Sequence, residues 1–168
     1  MKKIISILLA AIMLSSFVSC KKDEETADRE NMTKCTVKVG SDISATLWYP
    51  NDSGIEMAEG EEESVVFFTD MEDDYEIIFE LFADNTFADV RDYASIYEQM
   101  TIGGRESYLY DEGDILVYYI YLGSTGEEDV YFEADLYGLF DESTDLRAVF
   151  ASKEVQAIMN SIECKGVK

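Results

Sequence analysis

The sequence predicts an α+β domain in which a single, mostly antiparallel sheet of about six or seven strands carries two packed helices. Two observations lead to this prediction. Beyond residue 33, most of the chain alternates apolar and polar residues in short runs separated by Gly, Asp and Asn, which is typical of strands joined by turns. Two other segments space their apolar residues three and four positions apart, which indicates helices that do not alternate regularly with strands.

In the first half of the domain, apolar residues recur at alternate positions and predict strands at 34–39, 44–49, 64–69 and 75–82. The segment Pro50-Asn51-Asp52-Ser53-Gly54 is a strong turn signal after the second of these strands. The acidic, glycine-containing segment 55–63 is expected to be a loop. This half of the domain therefore supplies four of the predicted strands.

The helical period comes next, in an apolar stripe formed by Phe87, Val90, Tyr93, Ala94, Tyr97 and Met100. The stripe predicts a helix over 86–100, capped by Asn85 or Thr86, with Asp89 in the first turn, where a negative charge is favourable. Gly103-Gly104 then marks a turn or a bulge.

The second half returns to alternation and predicts strands at 105–110, 115–122 and 130–139. The segment Gly123-Ser124-Thr125-Gly126 is expected to join the last two strands as a hairpin. Ser152 is expected to cap a final helix, which carries Val155, Ile158, Met159 and Ile162 on one face.

The charge of the chain excludes several classes of function. Its 168 residues include 36 Asp and Glu but only 13 Lys and Arg, for a net charge of −23. Such a chain repels phosphate backbones, so no nucleic-acid partner is expected. Histidine is absent from the sequence, which removes Ser-His and Cys-His catalytic pairs and histidine-containing zinc sites. No cofactor is predicted.

The N-terminal segment has the features of a signal peptide. Met1-Lys2-Lys3 supplies a positive start, residues 4–14 are apolar except for Ser6, and small residues precede Cys20. The apolar run is too short to span a bilayer comfortably as a helix. A signal peptide is therefore predicted at 1–19.

The segment Phe17-Val18-Ser19-Cys20 resembles the lipobox of bacterial lipoproteins, with Phe17 in place of the usual Leu. This resemblance implies that Cys20 receives a diacylglyceryl group and becomes the first residue after cleavage. Two or more acyl chains hold a protein on a bilayer almost permanently. The alternative is an ordinary secreted protein in which the cysteine is coincidental.

Residues 20–33 are predicted to form a lipid-anchored, flexible acidic tether, and residues 34–168 a single globular domain. The protein is expected in the bacterial cell envelope, on the extracytoplasmic side, attached to the membrane through its N-terminal lipid. The segment 20–25 is also similar to the acidic signal that some Gram-negative lineages use to send lipoproteins to the cell surface. Surface display and retention inside the envelope both stay open.

Two further cysteines lie near the two ends of the domain. Export to an oxidising compartment favours a disulfide between Cys35 and Cys164, which would need the first strand and the segment after the last helix to be neighbours. The alternative is two separately buried thiols. A redox or metal site is not expected because neither cysteine belongs to a C-x-x-C motif.

Two short motifs connect the domain to a known superfamily. The strand start Ile102-Gly103-Gly104-Arg105-Glu106-Ser107-Tyr108 and the helix end Ile158-Met159-Asn160-Ser161-Ile162 resemble motifs that recur in the PsbP/Mog1-like superfamily, which includes many bacterial lipoproteins. The resemblance implies an antiparallel sheet with helices on its faces. It implies no activity, because the fold serves as a scaffold in unrelated settings.

Two groups of residues are candidate ligand sites. Asp70, Glu72, Asp73 and Asp74 offer the carboxylates that calcium prefers, although they lack the EF-hand order and an acidic hairpin turn also explains them. Tyrosines at 108, 110, 118, 119 and 121 could build an aromatic platform for a glycan or a peptide. Because strand residues alternate between two faces, half of these tyrosines are expected in the core.

No catalytic motif stands out from the sequence. We therefore expect a small non-catalytic domain that binds or scaffolds at the cell envelope, with an envelope protein or a glycan as its partner. Two alternatives stay open: a calcium- or cation-dependent adhesion module, and a small hydrolase that uses paired carboxylates.

Overall fold

The computed structural model describes residues 30–59, 62–69, 75–138 and 144–168. The predicted signal peptide, the predicted lipidation site Cys20 and the acidic segment 70–74 lie outside these residues. Met32 and Thr33, which the sequence placed in the tether, belong to the first strand because they pair with Pro50 and Tyr49.

The described residues form ten strands, three α-helices and one 3-10 turn. The strands are β1 Met32–Val39, β2 Ile43–Pro50, β3 Glu56–Glu59, β4 Ser64–Phe68, β5 Tyr75–Asp84, β6 Glu98–Ile102, β7 Arg105–Asp111, β8 Ile115–Ser124, β9 Asp129–Gly138 and β10 Glu163–Lys165. The helices are α1 Thr86–Asp92, α2 Leu146–Phe150 and α3 Lys153–Asn160, and the 3-10 turn is Ala94–Ile96.

The predicted α+β class is confirmed. Seven strands form an antiparallel sheet in the order β3-β4-β5-β9-β8-β7-β6. Its central strands β5, β9 and β8 are the longest, at ten residues each, and they are paired along most of their length. The centre of the domain is therefore a continuous antiparallel platform of three long strands.

A second sheet of three strands, in the order β1-β2-β10, was not predicted. Its inward side chains, Cys35, Val37, Ala45 and Leu47, are fully buried in the main core together with apolar residues of the large sheet. Alternation in a sequence shows that a strand has one buried face, but it does not show which sheet the strand joins. The two sheets therefore pack face to face, with α2 and α3 closing the remaining core.

The predicted helix over 86–100 ends early. Helix α1 stops at Asp92, a 3-10 turn follows, and residues 98–102 form strand β6. Gly103 and Gly104 both have positive φ, at 57° and 77°, and they form a two-residue hairpin turn that pairs Ile102 with Arg105. Such a turn favours a strand on both sides. The hairpin therefore overrides the helical period of the apolar residues that precede it.

Sequence signals at the ends of the other helices and strands are confirmed in part. The Ser152 hydroxyl accepts a hydrogen bond from the Val155 N–H and caps α3, as predicted. At α1 the predicted cap was wrong: Asn85 makes no side-chain cap, and the Asp84 carboxylate accepts from the Thr86 N–H at 2.7 Å instead. The segment predicted as the loop 55–63 contains the short strand β3, because its residues pair with β4.

Candidate functional site

The large sheet has two different faces because side chains alternate along its strands. On β9, Phe132, Ala134 and Leu136 are fully buried in the main core. Their neighbours Glu133 and Asp135 lie on the opposite side and are only half-buried. We call this opposite side the outer face. It is turned away from the three-stranded sheet and from α2 and α3.

Helix α1 covers one end of the outer face through aromatic contacts. The ring centroid of Phe87 lies 5.1 Å from that of Tyr121, 5.7 Å from that of Tyr131 and 5.8 Å from that of Tyr108. Val90 of the same helix is also buried there, and these residues form an apolar cluster separate from the main core. We call this part of the sheet the covered end.

An arginine side chain is held at the covered end by both rings and carboxylates. The Arg91 guanidinium lies 5.1 Å from the Phe87 ring and 5.3 Å from the Tyr121 ring. Its Nε and Nη2 atoms each donate to a Glu106 carboxylate oxygen at 3.0 Å, and Nη1 lies 3.9 Å from Asp129. Hydrogen bonding to Arg91 holds the pKa of Glu106 below its ordinary value. The two residues form a fork-like charged pair.

The rest of the outer face, which we call the open half, is formed by three cross-strand rows on β5, β9 and β8. The rows are Glu80–Glu133–Tyr119, Ile78–Asp135–Val117 and Glu76–Tyr137–Ile115. Val66 of β4 extends the middle row next to Ile78, and Tyr110 of β7 extends it next to Val117. The open half therefore combines carboxylates with aliphatic and aromatic side chains.

The carboxylates of the open half are not paired with a positive charge within the described residues. Burial raises the pKa of Glu133, and the Asp135 and Glu80 carboxylates raise it further. Burial also raises the pKa of Asp135, with Glu80 and Glu112 acting in the same direction. Among the described residues, no Lys or Arg forms an ion pair with these groups, and the buried Oδ1 atom of Asp135 has no hydrogen-bond partner.

The connection after α1 forms a wall beside the open half. The Tyr97 ring packs against Tyr110 at 5.6 Å and against Tyr119 at 5.8 Å, centroid to centroid. Two neighbours in this connection, Tyr93 and Ile96, are 65% and 62% exposed. Large exposed apolar side chains next to an aromatic surface are common at binding sites. This wall therefore enlarges the apolar part of the candidate site.

A cavity of about 340 Å³ adjoins the other side of the open half. It lies where Glu63 and Ser64 meet the end of β5, and Glu80 and Phe82 of the outer face are among its lining residues. The outer face is therefore bordered by the α1 connection on one side and by this cavity on the other.

The structure separates the tyrosines of the predicted platform. Tyr118 is buried in the core, where its ring stacks on Phe150 at 4.3 Å, and Tyr108 is buried at the covered end. Tyr110, Tyr119 and Tyr121 lie half-buried on the outer face, as expected for strands that alternate. The sequence alone does not distinguish Glu80, Glu133, Asp135 and Tyr137 as site residues, although Tyr131-x-Glu133-x-Asp135-x-Tyr137 has the alternation of an outward strand face.

The predicted disulfide between Cys35 and Cys164 is not formed in this structure, in which both residues are thiols. Cys35 on β1 and Cys164 on β10 pair with Leu47 and Ala45, on opposite edges of β2. Adjacent strands lie about 4.8 Å apart, so two strand spacings exceed the Cα separation of about 7 Å that a disulfide tolerates. The first strand and the segment after the last helix lie in the same sheet, but they are not the direct neighbours that the disulfide requires, because β2 separates them.

Metal binding was predicted at Asp70, Glu72, Asp73 and Asp74, which lie outside the described residues, so that hypothesis stays a prediction. Within the described residues, no group of three or more His, Cys, Asp or Glu side chains is placed to hold a metal ion. The carboxylates of the open half therefore present separate acceptors rather than one coordination site. In the described part of the chain, no helix has the length and apolar character needed to cross a membrane.

Comparison of the chain with protein-family models, with curated proteins and with solved structures finds no match. The resemblance to the PsbP/Mog1-like superfamily therefore stays a prediction from two short motifs. The open half itself offers hydrogen-bond acceptors and apolar rings, with tyrosine hydroxyls as its side-chain donors. It is suited to a ligand that supplies hydrogen-bond donors of its own.

Proposed function

We propose that this protein is a lipid-anchored component of the bacterial cell envelope whose domain binds another envelope component, without catalysis, through the open half of its outer face. The observation that supports this proposal is the group of outer-face carboxylates, the half-buried Glu133 and Asp135 beside the exposed Glu80, which no cation of the described residues neutralises. Burial of a carboxylate without a compensating positive charge destabilises a fold. Groups kept at such a cost are often kept for function.

The shape and composition of the open half agree with a binding surface. It is a sheet face bordered by the exposed side chains Tyr93 and Ile96. Interfaces between proteins are enriched in tyrosine and commonly combine an apolar centre with polar groups. An enzyme, by contrast, would need a cleft that positions a substrate between reacting groups, and histidine is absent from the whole sequence.

Site-specific photocrosslinking of the full chain tests the binding surface. A photoreactive phenylalanine analogue placed at Val117, in the centre of the open half, should crosslink to one discrete envelope component in intact cells. The same analogue at Thr46, on the three-stranded sheet, is the matched control and should give no such product. Equal crosslinking from the two positions would contradict the assignment of this face as the binding site.

The membrane anchor is tested separately. We expect the processed protein to fractionate with membranes and its N-terminal peptide to carry the mass of a lipid on Cys20. A Cys20→Ser variant should be released from membranes while the domain keeps its fold. Treatment of intact cells with a protease then distinguishes surface display, in which the domain is digested, from retention inside the envelope, in which it survives until lysis.

A further inference from the structure

Resting on the proposed function, we propose that the open half binds an arginine-bearing segment of a partner protein, with the guanidinium groups placed on tyrosine rings and paired with Glu133 and Asp135. The proposal identifies the chemical class of the ligand. The precedent is Arg91, whose guanidinium group the protein already binds on the same face of the same sheet.

Arg91 shows how this face holds a guanidinium group. At the covered end, the group lies over two aromatic rings while a glutamate of the neighbouring strand accepts two hydrogen bonds from it. Asp129 is close enough to add attraction, at 3.9 Å. Planar guanidinium groups favour this combination of ring stacking and two-point pairing with a carboxylate.

The open half repeats those components without an arginine of its own. Glu133 lies beside Tyr119 of the neighbouring strand β8. Asp135 is followed two residues later by Tyr137, on the same face of β9. The Tyr137 hydroxyl donates to Glu76 at 2.7 Å, which leaves its ring available for stacking. In the described residues, the strand positions on this half include no Lys or Arg.

Electrostatics favours a cationic segment over a second copy of this chain. The net charge of −23 opposes self-association through a face that is itself acidic. A guanidinium group next to Glu133 and Asp135 would offset the cost of burial and the repulsion between carboxylates, which together raise both pKa values. A calcium ion is a weaker candidate because the carboxylates of the described residues do not converge on one point.

The spacing suits an extended chain. Glu133 and Asp135 are two residues apart on one strand, so their side chains leave the sheet about 7 Å apart. In an extended peptide, side chains two residues apart have the same separation. A segment in which arginine alternates with another residue therefore places successive guanidinium groups next to successive carboxylates.

Fluorescence anisotropy of a labelled peptide tests the proposal with the full chain in detergent. The probe is an extended peptide in which three arginines alternate with threonine. The reference peptide has citrulline, which is neutral and similar in shape, at the three arginine positions. We expect the arginine peptide to bind at least about 10-fold more tightly than the citrulline peptide, because paired charges strengthen each hydrogen bond.

Two double variants separate specific recognition from general attraction to an acidic protein. Glu133→Gln with Asp135→Asn should weaken binding of the arginine peptide at least about 10-fold. Glu127→Gln with Glu128→Gln removes the same charge from the exposed β8–β9 turn at the covered end and should leave binding within about two-fold. A Glu80→Gln variant, which changes an exposed group, should weaken binding in the same direction and guards against misfolding of the first variant.

Two results would overturn the proposal: equal weakening by the two double variants, or equal binding of the arginine and citrulline peptides. Crosslinking from position 117 then shows whether such a result contradicts only the arginine proposal or also the proposed binding face. If the crosslinked product persists in the variant with Glu133→Gln and Asp135→Asn, the open half binds its partner by other contacts and only the arginine proposal fails. If position 117 gives no product even with intact carboxylates, the binding face itself is wrong.

Discussion

The Ser161 hydroxyl oxygen accepts a hydrogen bond from the Trp48 backbone N–H at 2.8 Å, across 113 positions of sequence. The same hydroxyl is within hydrogen-bond distance of the Ile158 carbonyl at 2.6 Å and of the Trp48 carbonyl at 3.1 Å. Ser161 lies at the end of α3, and Trp48 lies in β2. One small side chain therefore joins the last helix to the three-stranded sheet inside the core.

Replacing Ser161 with alanine should destabilise the fold by about 1–3 kcal/mol, because the buried Trp48 N–H would lose its partner. Urea unfolding followed by circular dichroism measures this loss. Ser41→Ala is the matched control, since the Ser41 hydroxyl donates only to the exposed Asp42 carboxylate. The control should stay within about 0.5 kcal/mol of the unaltered protein. Equal stability of the two variants would show that the hydrogen bond to Trp48 contributes nothing.

Gly166 and Gly40 provide a matched pair for testing how closely the C-terminal segment approaches β2. Both glycines have positive φ, at 87° and 61°. A Cβ atom at Gly166 would clash with the Asp42 carbonyl oxygen, whereas one at Gly40 would meet nothing within 4 Å. Gly40→Ala should therefore cost about 1–2 kcal/mol for backbone strain alone. Gly166→Ala should cost about 1–3 kcal/mol more because backbone atoms must also move.

The comparison is made by chemical unfolding of the two variants under the same conditions. If Gly166→Ala is no more destabilising than Gly40→Ala, the close approach between Gly166 and Asp42 is not a feature of the folded protein in solution.

Neutralising Glu133 and Asp135 with Gln and Asn should stabilise the protein at pH 7. Burial raises both pKa values in the fold, from ordinary values of 4.5 and 3.8, so folding favours the protonated carboxyls. The stability that the protonated carboxyls contribute is fully present below those ordinary values. It is lost as the pH rises through the folded-state pKa values, because both carboxyls then become charged while half-buried. The double variant should therefore have the higher urea midpoint at pH 7, and the difference should shrink toward zero on acidification below 3.8.

The control for this experiment is the variant with Glu127→Gln and Glu128→Gln, which removes equal charge from exposed positions. It accounts for the general relief of repulsion in a chain of net charge −23. A gain in the open-half variant that does not exceed the gain in the control, or one that persists unchanged in acid, would contradict the burial cost assigned to these carboxylates.

The thiols of Cys35 and Cys164 should both react with iodoacetamide after unfolding in urea without reductant, as peptide mass spectrometry would show. In the folded protein both should react slowly, because Cys35 is fully buried and burial raises the pKa of the Cys164 thiol. Added reductant should leave the unfolding midpoint unchanged. A peptide that links the two residues through a disulfide would show that the strand arrangement around β2 differs from the one described here.

Local signals in the sequence predicted local structure well. Gly103-Gly104 forms a hairpin turn and Ser152 caps a helix, because each signal depends on a few neighbouring residues. The hairpin expected at 123–126 is also formed, but it turns two residues later, because Gly123 and Ser124 still pair with Val130 and Asp129. The helix predicted over 86–100 failed for the opposite reason. Its apolar period was correct for Phe87 and Val90, but pairing of residues 98–102 with β7 makes hydrogen bonds that a longer helix would prevent.

The sequence predicted only part of the candidate site. Alternation predicted that half of the tyrosines at 108–121 would leave the core, and Tyr110, Tyr119 and Tyr121 do so. The carboxylates Glu133 and Asp135 could not be distinguished among 36 acidic residues, because their special property is the absence of a cation across neighbouring strands. That property belongs to β5, β8 and β9 together.

The sequence by itself determined the α+β class, the alternation that gives each strand an inward and an outward side, and the strongly acidic net charge. Only the tertiary structure decided that β1, β2 and β10 form a separate sheet and that α1 covers one end of the outer face. The physical reason is the separation in sequence between the residues that interact. Alternation and capping depend on residues within a few positions, whereas strand partners and the cover of a face depend on contacts between distant parts of the chain.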